Sequence, residues 1–264
     1  MQRRQFLAAS LATSAAALAL EGAAETPVTS PREYYQIRRY QLRSGPQTAL
    51  TEAYIGDALI PALARMGMGP IGAFQAEIGT ESPAYYVLIP SGSAEALAQL
   101  SLKLAEDSVF MKAADPFWNA PASAPAFERV ETSLLRAFEG WPKLTPPPAT
   151  ATKSKRVFQL RTYESPSDRA HVRKVEMFNS GEFACFQRAG FHPVFFGDTL
   201  VGSHMPCLTY MVSMSSLDEL NARWDAFRSD PGWVKLKADP RYAFEPIVSN
   251  ITNLILSPMA ASQI

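Results

Sequence analysis

Cysteine is scarce: the 264 residues hold two, Cys185 and Cys207. That excludes a disulfide-dense small scaffold, and two cysteines without ligand-like spacing argue against a structural zinc site. An excess of either charge is also lacking. Lys+Arg and Asp+Glu each total 25, so the balance does not draw the chain to nucleic acid or to an anionic membrane. Histidine occurs three times, at His171, His192 and His204, with separations that match no HExxH or HxH pattern. No GxSxG, GxxxxGK or CxxC occurs, which removes the commonest hydrolase, P-loop and thioredoxin readings. Gly67-Met-Gly69-Pro-Ile-Gly72 matches GxGxxG. A helical pattern precedes it and a strand pattern follows, the reverse of what a dinucleotide site needs, so it reads as a helix stop and a turn. No motif calls for a cofactor.

What is present is a core and many fixed turns. Hydrophobic residues make up 47% and charged residues 19%, the profile of a globular protein of one or two domains. The 21 prolines exceed the usual share of about 5%. The longest apolar run, Phe6–Leu20, has 15 residues, short of the roughly 20 that cross a bilayer. Arg3-Arg4-Gln5-Phe6-Leu7 precedes it and Gly22-Ala23-Ala24 follows, the order of an export signal. The paired arginines resemble the twin-arginine pattern. Residues 1–24 are therefore expected to be a signal peptide read by the export machinery, with a periplasmic mature protein. Cleavage after Ala24 would remove two arginines and one glutamate, leaving 23 basic against 24 acidic residues.

The rest of the chain is a tandem repeat, a pattern to be sought before any other. Tyr35-Gln36-Ile37-Arg38-Arg39-Tyr40 matches Phe158-Gln159-Leu160-Arg161-Thr162-Tyr163 at an offset of 123. The same offset pairs Arg65 with Arg188, Gly67 with Gly190, Pro70 with Pro193, Gly79 with Gly202 and Leu97 with Leu220. Domains are expected at 34–141 and 157–258, joined by a semi-rigid proline-rich linker at 142–156.

Each copy reads strand, helix, strand, strand, helix, strand. Strands are expected at 34–42, 70–79, 84–89 and 127–137, then at 157–164, 193–202, 207–214 and 247–256. The first helices span 47–66 and 168–189 and stop at Gly67 and Gly190; Pro61 should kink the earlier one. Leu97, Leu100 and Leu104 mark one buried helix face, and Leu217, Leu220, Trp224 and Phe227 another. Ser215 with Asp218 reads as a helix start. Asp115-Pro116 and Asp239-Pro240 mark an excursion before each last strand. The order is the ferredoxin-like βαββαβ unit. One such sheet has helices on a single face, so its other face needs a cover. The expected fold is α+β, two tandem ferredoxin-like units packed sheet to sheet as a pseudo-dimeric barrel.

These residues resemble the NIPSNAP family of the dimeric α+β barrel superfamily. The resemblance rests on Ile37-Arg38-Arg39-Tyr40, Leu160-Arg161-Thr162-Tyr163 and Pro70-Ile71-Gly72-Ala73-Phe74. It is fullest over Ser216-Leu217-Asp218-Glu219-Leu220, Trp224, Phe227 and Asp230-Pro231-Gly232-Trp233. The first copy departs at Leu104–Phe110, which lacks both tryptophan and Asp-Pro. The resemblance implies a barrel of two βαββαβ units with helices outside, here an intramolecular pseudo-dimer and hence a monomer. Superfamily relatives include cofactor-independent monooxygenases and heme proteins.

Strand alternation puts Gln36, Arg38 and Tyr40 on one face, and Gln159, Arg161 and Tyr163 on the repeat's equivalent face. These six are the candidate ligand-binding residues, expected to point into the barrel. Two arginine forks and two phenols suit an anionic or carbonyl-bearing small organic ligand. The competing reading is that they satisfy one another and carboxylates such as Glu77 in a polar barrel core. The histidines suit surface or capping roles. Strand spacing should keep Cys185 and Cys207 too far apart to bond, leaving two buried free thiols. The function expected is binding of a small organic molecule in or near the barrel. Alternatives are a cofactor-independent monooxygenase acting through Arg38, Tyr40, Arg161 and Tyr163, and a heme-associated protein.

Overall fold

Eight runs rich in β-branched and aromatic residues become strands, and amphipathic segments between them become helices. The computed structural model describes residues 31–264 apart from 44, 80 and 81. The expected signal at 1–24 lies outside them. The first half runs β1 (Tyr34–Gln41), α1 (Pro46–Ala53), a π-helical stretch (Tyr54–Leu59) and α2 (Ile60–Arg65). It continues through β2 (Gly72–Ile78), β3 (Ala84–Ser91), α3 (Ala94–Ala98), α4 (Leu100–Glu106), α5 (Ser108–Trp118) and β4 (Arg129–Ala137). The second half runs β5 (Val157–Glu164), α6 (Asp168–Met177), a π-helical stretch (Phe178–Glu182), α7 (Phe183–Arg188) and β6 (His192–Val201). It ends with β7 (Cys207–Met214), α8 (Leu217–Ser229), α9 (Pro231–Lys237), α10 (Phe244–Ile247) and β8 (Asn250–Pro258).

All eight strands pair antiparallel into one closed barrel, in the order β1-β3-β2-β8-β5-β7-β6-β4. Each half contributes four consecutive staves. The halves join edge to edge at β2–β8 and β4–β6, so no strand edge is left to template aggregation. The first and fifth staves, β1 and β5, stand opposite each other across the lumen.

Three apolar clusters follow from this. One packs α1–α5 on the outer face of the first half, around Tyr40, Tyr85, Val87 and Ile89. A second does the same for the other half, around Tyr163, Phe178, Phe186 and Tyr210. The third fills one end of the lumen with residues of both halves, among them Tyr35, Phe74, Leu135, Phe158, Phe195 and Met211. Residues beyond β8 cross that end of the barrel: Ile264 is fully buried in this cluster, and its carbonyl accepts from Arg156 Nη2 at 2.9 Å.

This arrangement corrects the expected facing of the first strands. The lumen takes the other alternation set, Tyr35, Ile37 and Arg39 against Phe158, Leu160 and Thr162. Gln36, Arg38, Tyr40, Gln159, Arg161 and Tyr163 face the helices. Alternation groups residues by face, but it does not say which face a closed barrel encloses. Here large apolar side chains fill the enclosed end, while the helices bring polar partners to the opposite face. Glu77 is not their partner; it is exposed and accepts from the Ser257 hydroxyl.

Local signals resolve with small shifts. Pro61 falls in the first turn of α2, just after the π-helical stretch. The second half widens at the equivalent place without a proline, with Gly181 at φ 146°, so proline is not the common cause. Asp115-Pro116 lies inside α5 rather than in an excursion, whereas Asp239 caps the turn Pro240–Tyr242. Leu217 is exposed, and only Leu220, Trp224 and Phe227 of its set turn inward. The cap of α8 is one residue later than Ser215 suggested: Ser216 Oγ accepts from the Glu219 backbone N–H at 3.1 Å. Glu219 in return accepts from the backbone N–H and hydroxyl of Ser215.

Those bonds from Ser215 hold the Glu219 carboxyl down at about 2. A depressed carboxylate stabilises the fold above its ordinary range and loses that contribution as pH falls toward the folded value. Ser216→Ala should cost about 1 kcal/mol, and Glu219→Gln should flatten the acid limb of a melting-temperature profile below pH 4.5. An unchanged acid limb would remove Glu219 from the account.

Both cysteines are free and buried. Burial pushes the Cys185 thiol up to about 11 and raises that of Cys207. Since the thiolate is the reactive form, neither should react with Ellman's reagent at pH 8 until denaturant is added. Rapid release in native buffer would contradict this burial.

Candidate functional site

β5 carries the site. Its outward residues Gln159, Arg161 and Tyr163 look up at α6, α8 and α9 and line a cavity of about 350 Å³ between sheet and helices. Trp224 and Phe227 of α8, Trp233 of α9 and Phe244 of α10 make the aromatic side of that cavity. Register fixes the neighbours: Arg161 sits beside Tyr210 of β7 and Asn253 of β8.

The half-buried Arg161 guanidinium is held by rings. It lies 4.3 Å from the Trp224 ring centre, 5.3 Å from that of Tyr163 and 6.0 Å from that of Tyr210. Nη2 donates to Tyr163 Oη at 3.1 Å, and Tyr163 Oη is 3.0 Å from Tyr210 Oη. Burial keeps Tyr210 a neutral phenol, its pKa well above the ordinary value. Arg161 Nε is buried and meets no hydrogen-bond acceptor among the described residues. A buried donor left open carries a cost of roughly 1–3 kcal/mol unless something fills it. Gln159 is fully engaged, accepting from Trp224 Nε1 at 2.8 Å and donating to Asn253 at 3.1 Å.

A second cation stands beside the first. Lys174 of α6 donates to Glu182 at 2.8 Å, with side chains only 3% and 2% exposed. Its ammonium also lies 4.5 Å from the Phe178 ring centre and 5.7 Å from that of Trp233. Burial raises the Glu182 pKa, opposed by the Lys174 and Arg161 charges. Three cations and one carboxylate line the cavity. Arg228 is paired with Asp225 outside it, which leaves Arg161 and Lys174 against Glu182, one positive charge in excess.

The first half is not built this way. Gln36 Nε2 donates to the Leu97 carbonyl at 2.9 Å, Arg38 Nε to Gln36 Oε1 at 2.6 Å, and Arg38 Nη2 to Ser101 at 3.4 Å. Tyr40 packs against Tyr54 and Phe117. The six candidate residues thus form two separate clusters on opposite sides of the barrel, not one. The offset of 123 shows why they differ: Lys174, Glu182, Tyr210, Trp224 and Trp233 correspond to Thr51, Leu59, Val87, Ser101 and Phe110. Motif reading missed Lys174, Glu182 and Tyr210. The signal that finds them is the contrast between copies. What the copies share is structural: Arg65 pairs with Asp107 as Arg188 pairs with Asp230, and both aspartates cap the following helix.

The histidines stand apart from this cavity. His171 Nε2 is 2.6 Å from Asp198, His192 opens β6 at the surface, and His204 lies in the β6–β7 turn at φ 62°. With no histidine, cysteine or methionine in its lining and Tyr163 engaged by Arg161 and Tyr210, the cavity does not fit a heme.

The fold is shared with known structures. One from Fusobacterium nucleatum, provisionally named a monooxygenase, is 8% identical, covers 86% of this chain and 92% of its own, and superposes with a TM-score of 0.54. One from Lactobacillus acidophilus, with the same provisional name, is 11% identical over 86% of this chain and 94% of its own, with a TM-score of 0.54. An uncharacterised NIPSNAP-like domain protein of Burkholderia xenovorans is 16% identical over 40% of this chain and 86% of its own, with a TM-score of 0.35. No curated protein matches the chain. The NIPSNAP family model matches twice, over residues 35–137 and 157–263. With the repeated motif and the barrel that both copies build together, the chain belongs to the NIPSNAP family.

Proposed function

We propose that this protein binds a small aromatic anion, a carboxylate or phenolate, in the cavity between β5 and helices α6, α8 and α9. The single observation that carries the reading is the Arg161 guanidinium, stacked on Trp224 with its buried Nε lacking an acceptor among the described residues. An anionic oxygen there would satisfy Nε and offset the excess charge of Arg161 and Lys174 over Glu182. The ring of the ligand would pack against Trp224, Phe227 and Trp233. Polar groups at one end and apolar walls elsewhere are the usual make-up of a small-molecule site.

A catalytic reading uses the same atoms. In cofactor-independent oxygenation of an electron-rich aromatic, Arg161 and Tyr163 would stabilise the oxyanion of the substrate. Its support is the likeness in fold to the two structures provisionally named monooxygenases. Each half is also read as a ferredoxin-like unit, on the strand orders β4-β1-β3-β2 and β8-β5-β7-β6. One chain closes the barrel, which supports a monomer; export to the periplasm rests on the pattern in residues 1–24.

Titration with 1-naphthoate, followed by tryptophan fluorescence, tests the binding reading. A saturable 1:1 change is expected, because Trp224 and Trp233 line the cavity. No saturable change with 1-naphthoate or 1-naphtholate would sink it. Oxygen uptake with an added naphthol would separate the catalytic reading from binding alone.

A further inference from the structure

The lumen itself holds a second cavity, of about 550 Å³. It lies at the end of the barrel away from Ile264, beside the β6–β7 turn at Gly202–His204. Two in-register rows bound it. On one wall Thr209, Thr162 and Thr252 stand side by side across β7, β5 and β8. On the opposite wall Tyr86, Arg39 and Glu131 stand side by side across β3, β1 and β4. Arg39 and Tyr86 are the equivalents of Thr162 and Thr209 at the repeat offset, and Glu131 and Thr252 take matching register positions beside Arg39 and Thr162. One copy makes the row of three hydroxyls, and the other makes it of a phenol, a guanidinium and a carboxylate.

Each charged side chain of the lining already has a polar neighbour, His204 Nδ1 lying 3.7 Å from Glu164. Arg39 Nη1 donates to Glu131 at 2.9 Å, and Glu164, on the same wall as Thr162, accepts from Asn250 at 2.8 Å. With Arg39 positive and Glu131 and Glu164 negative, the lining sums to −1, which disfavours an anion. The hydroxyls both donate and accept; Thr162 and Thr209 already share one bond at 3.0 Å. Beneath the rows the floor is apolar, made by Ile37, Leu160 and Leu254.

We propose that the lumen is a second binding site, for a neutral polyhydroxylated molecule of monosaccharide size. Such a ligand offers hydroxyls to the threonine row and to the Arg39–Glu131 pair, and C–H faces to Tyr86 and the floor. The site is independent of the cavity outside β5: its residues occupy the other alternation set of the same strands.

The experiment is saturation-transfer NMR of the mature chain with D-glucose, D-xylose and D-mannitol, with 1-naphthoate titrated in parallel. At least one of the three should bind saturably. Thr162→Val with Thr209→Val keeps the branched shape and removes two hydroxyls. It should weaken that binding about tenfold, with far-UV circular dichroism and 1-naphthoate binding unchanged. Thr252→Val, on a different strand, should weaken it by a smaller factor and serves if the double variant does not fold. No saturable binding of any of the three would overturn the proposal. Binding unchanged in both threonine variants, or binding lost with Arg161→Met instead, would overturn it too.

Discussion

Lys174→Met should destabilise the protein by about 3–5 kcal/mol at pH 7.5, the usual result of removing one partner from a buried ion pair. The magnitude follows from what is left behind. Glu182 is 1% exposed, and its bond to Lys174 at 2.8 Å is the ion pair that compensates it. Without the ammonium, burial acts on the carboxyl unopposed by Lys174, so a pKa already raised rises further. The folded state then holds its proton more tightly than the unfolded chain, whose carboxyl titrates near 4.3. Stability that is present below that value is lost as pH rises through the folded pKa. The penalty should therefore shrink between pH 7.5 and pH 5, read by urea denaturation at both. Adding Glu182→Leu should recover most of the loss, since Leu59 occupies the equivalent place in the first half, where it is fully buried. A penalty equal at both pH values, or a double variant as weak as the single one, would show that packing of the lysine stem sets the cost.

The repeat was legible because both halves use the same strand and helix punctuation. Gly67 and Gly190 stop helices at φ 71° and 81°, and Tyr35–Tyr40 and Phe158–Tyr163 open matching strands. Alternation also grouped the candidate residues correctly by face. What it could not supply was the inside and outside of a closed barrel. Arg38 is polar yet 6% exposed under helices, while Arg39, one residue on, looks into the lumen. The single polar site expected inside the barrel is thus two clusters outside it, on opposite sides. Lys174 and Glu182 were invisible to motif reading for a related reason. They lie eight residues apart, Lys174 in α6 and Glu182 at the end of the π-helical stretch, a spacing that would turn an ideal helix through more than two turns. Only the copy-to-copy comparison marks them, as charges standing where the first half has Thr51 and Leu59.

That comparison also sets the second large effect. Arg161→Met should lower affinity for 1-naphthoate about a hundredfold, whereas Arg38→Met should leave it unchanged. The two arginines are repeat equivalents, but of the two only Arg161 has a buried donor without an acceptor among the described residues. Arg38 spends Nε on Gln36 and Nη2 on Ser101, so its removal breaks an internal network and should show as lost stability of about 1–3 kcal/mol. Arg161 rests on Trp224, Tyr163 and Tyr210, with Nε open among the described residues. Its loss removes the charge-assisted bonds to the ligand, and truncating one partner of a buried, hydrogen-bonded charge pair costs about 2–5 kcal/mol, of which every 1.4 is tenfold. Methionine keeps the apolar stem against the indole, so circular dichroism should not change. Trp224→Ser, which copies Ser101 of the first half, should weaken binding by removing the ring wall while leaving Arg161 in place. Equal losses in the Arg38 and Arg161 variants would mean that binding reports overall stability, and the division of labour between the halves would fall with it.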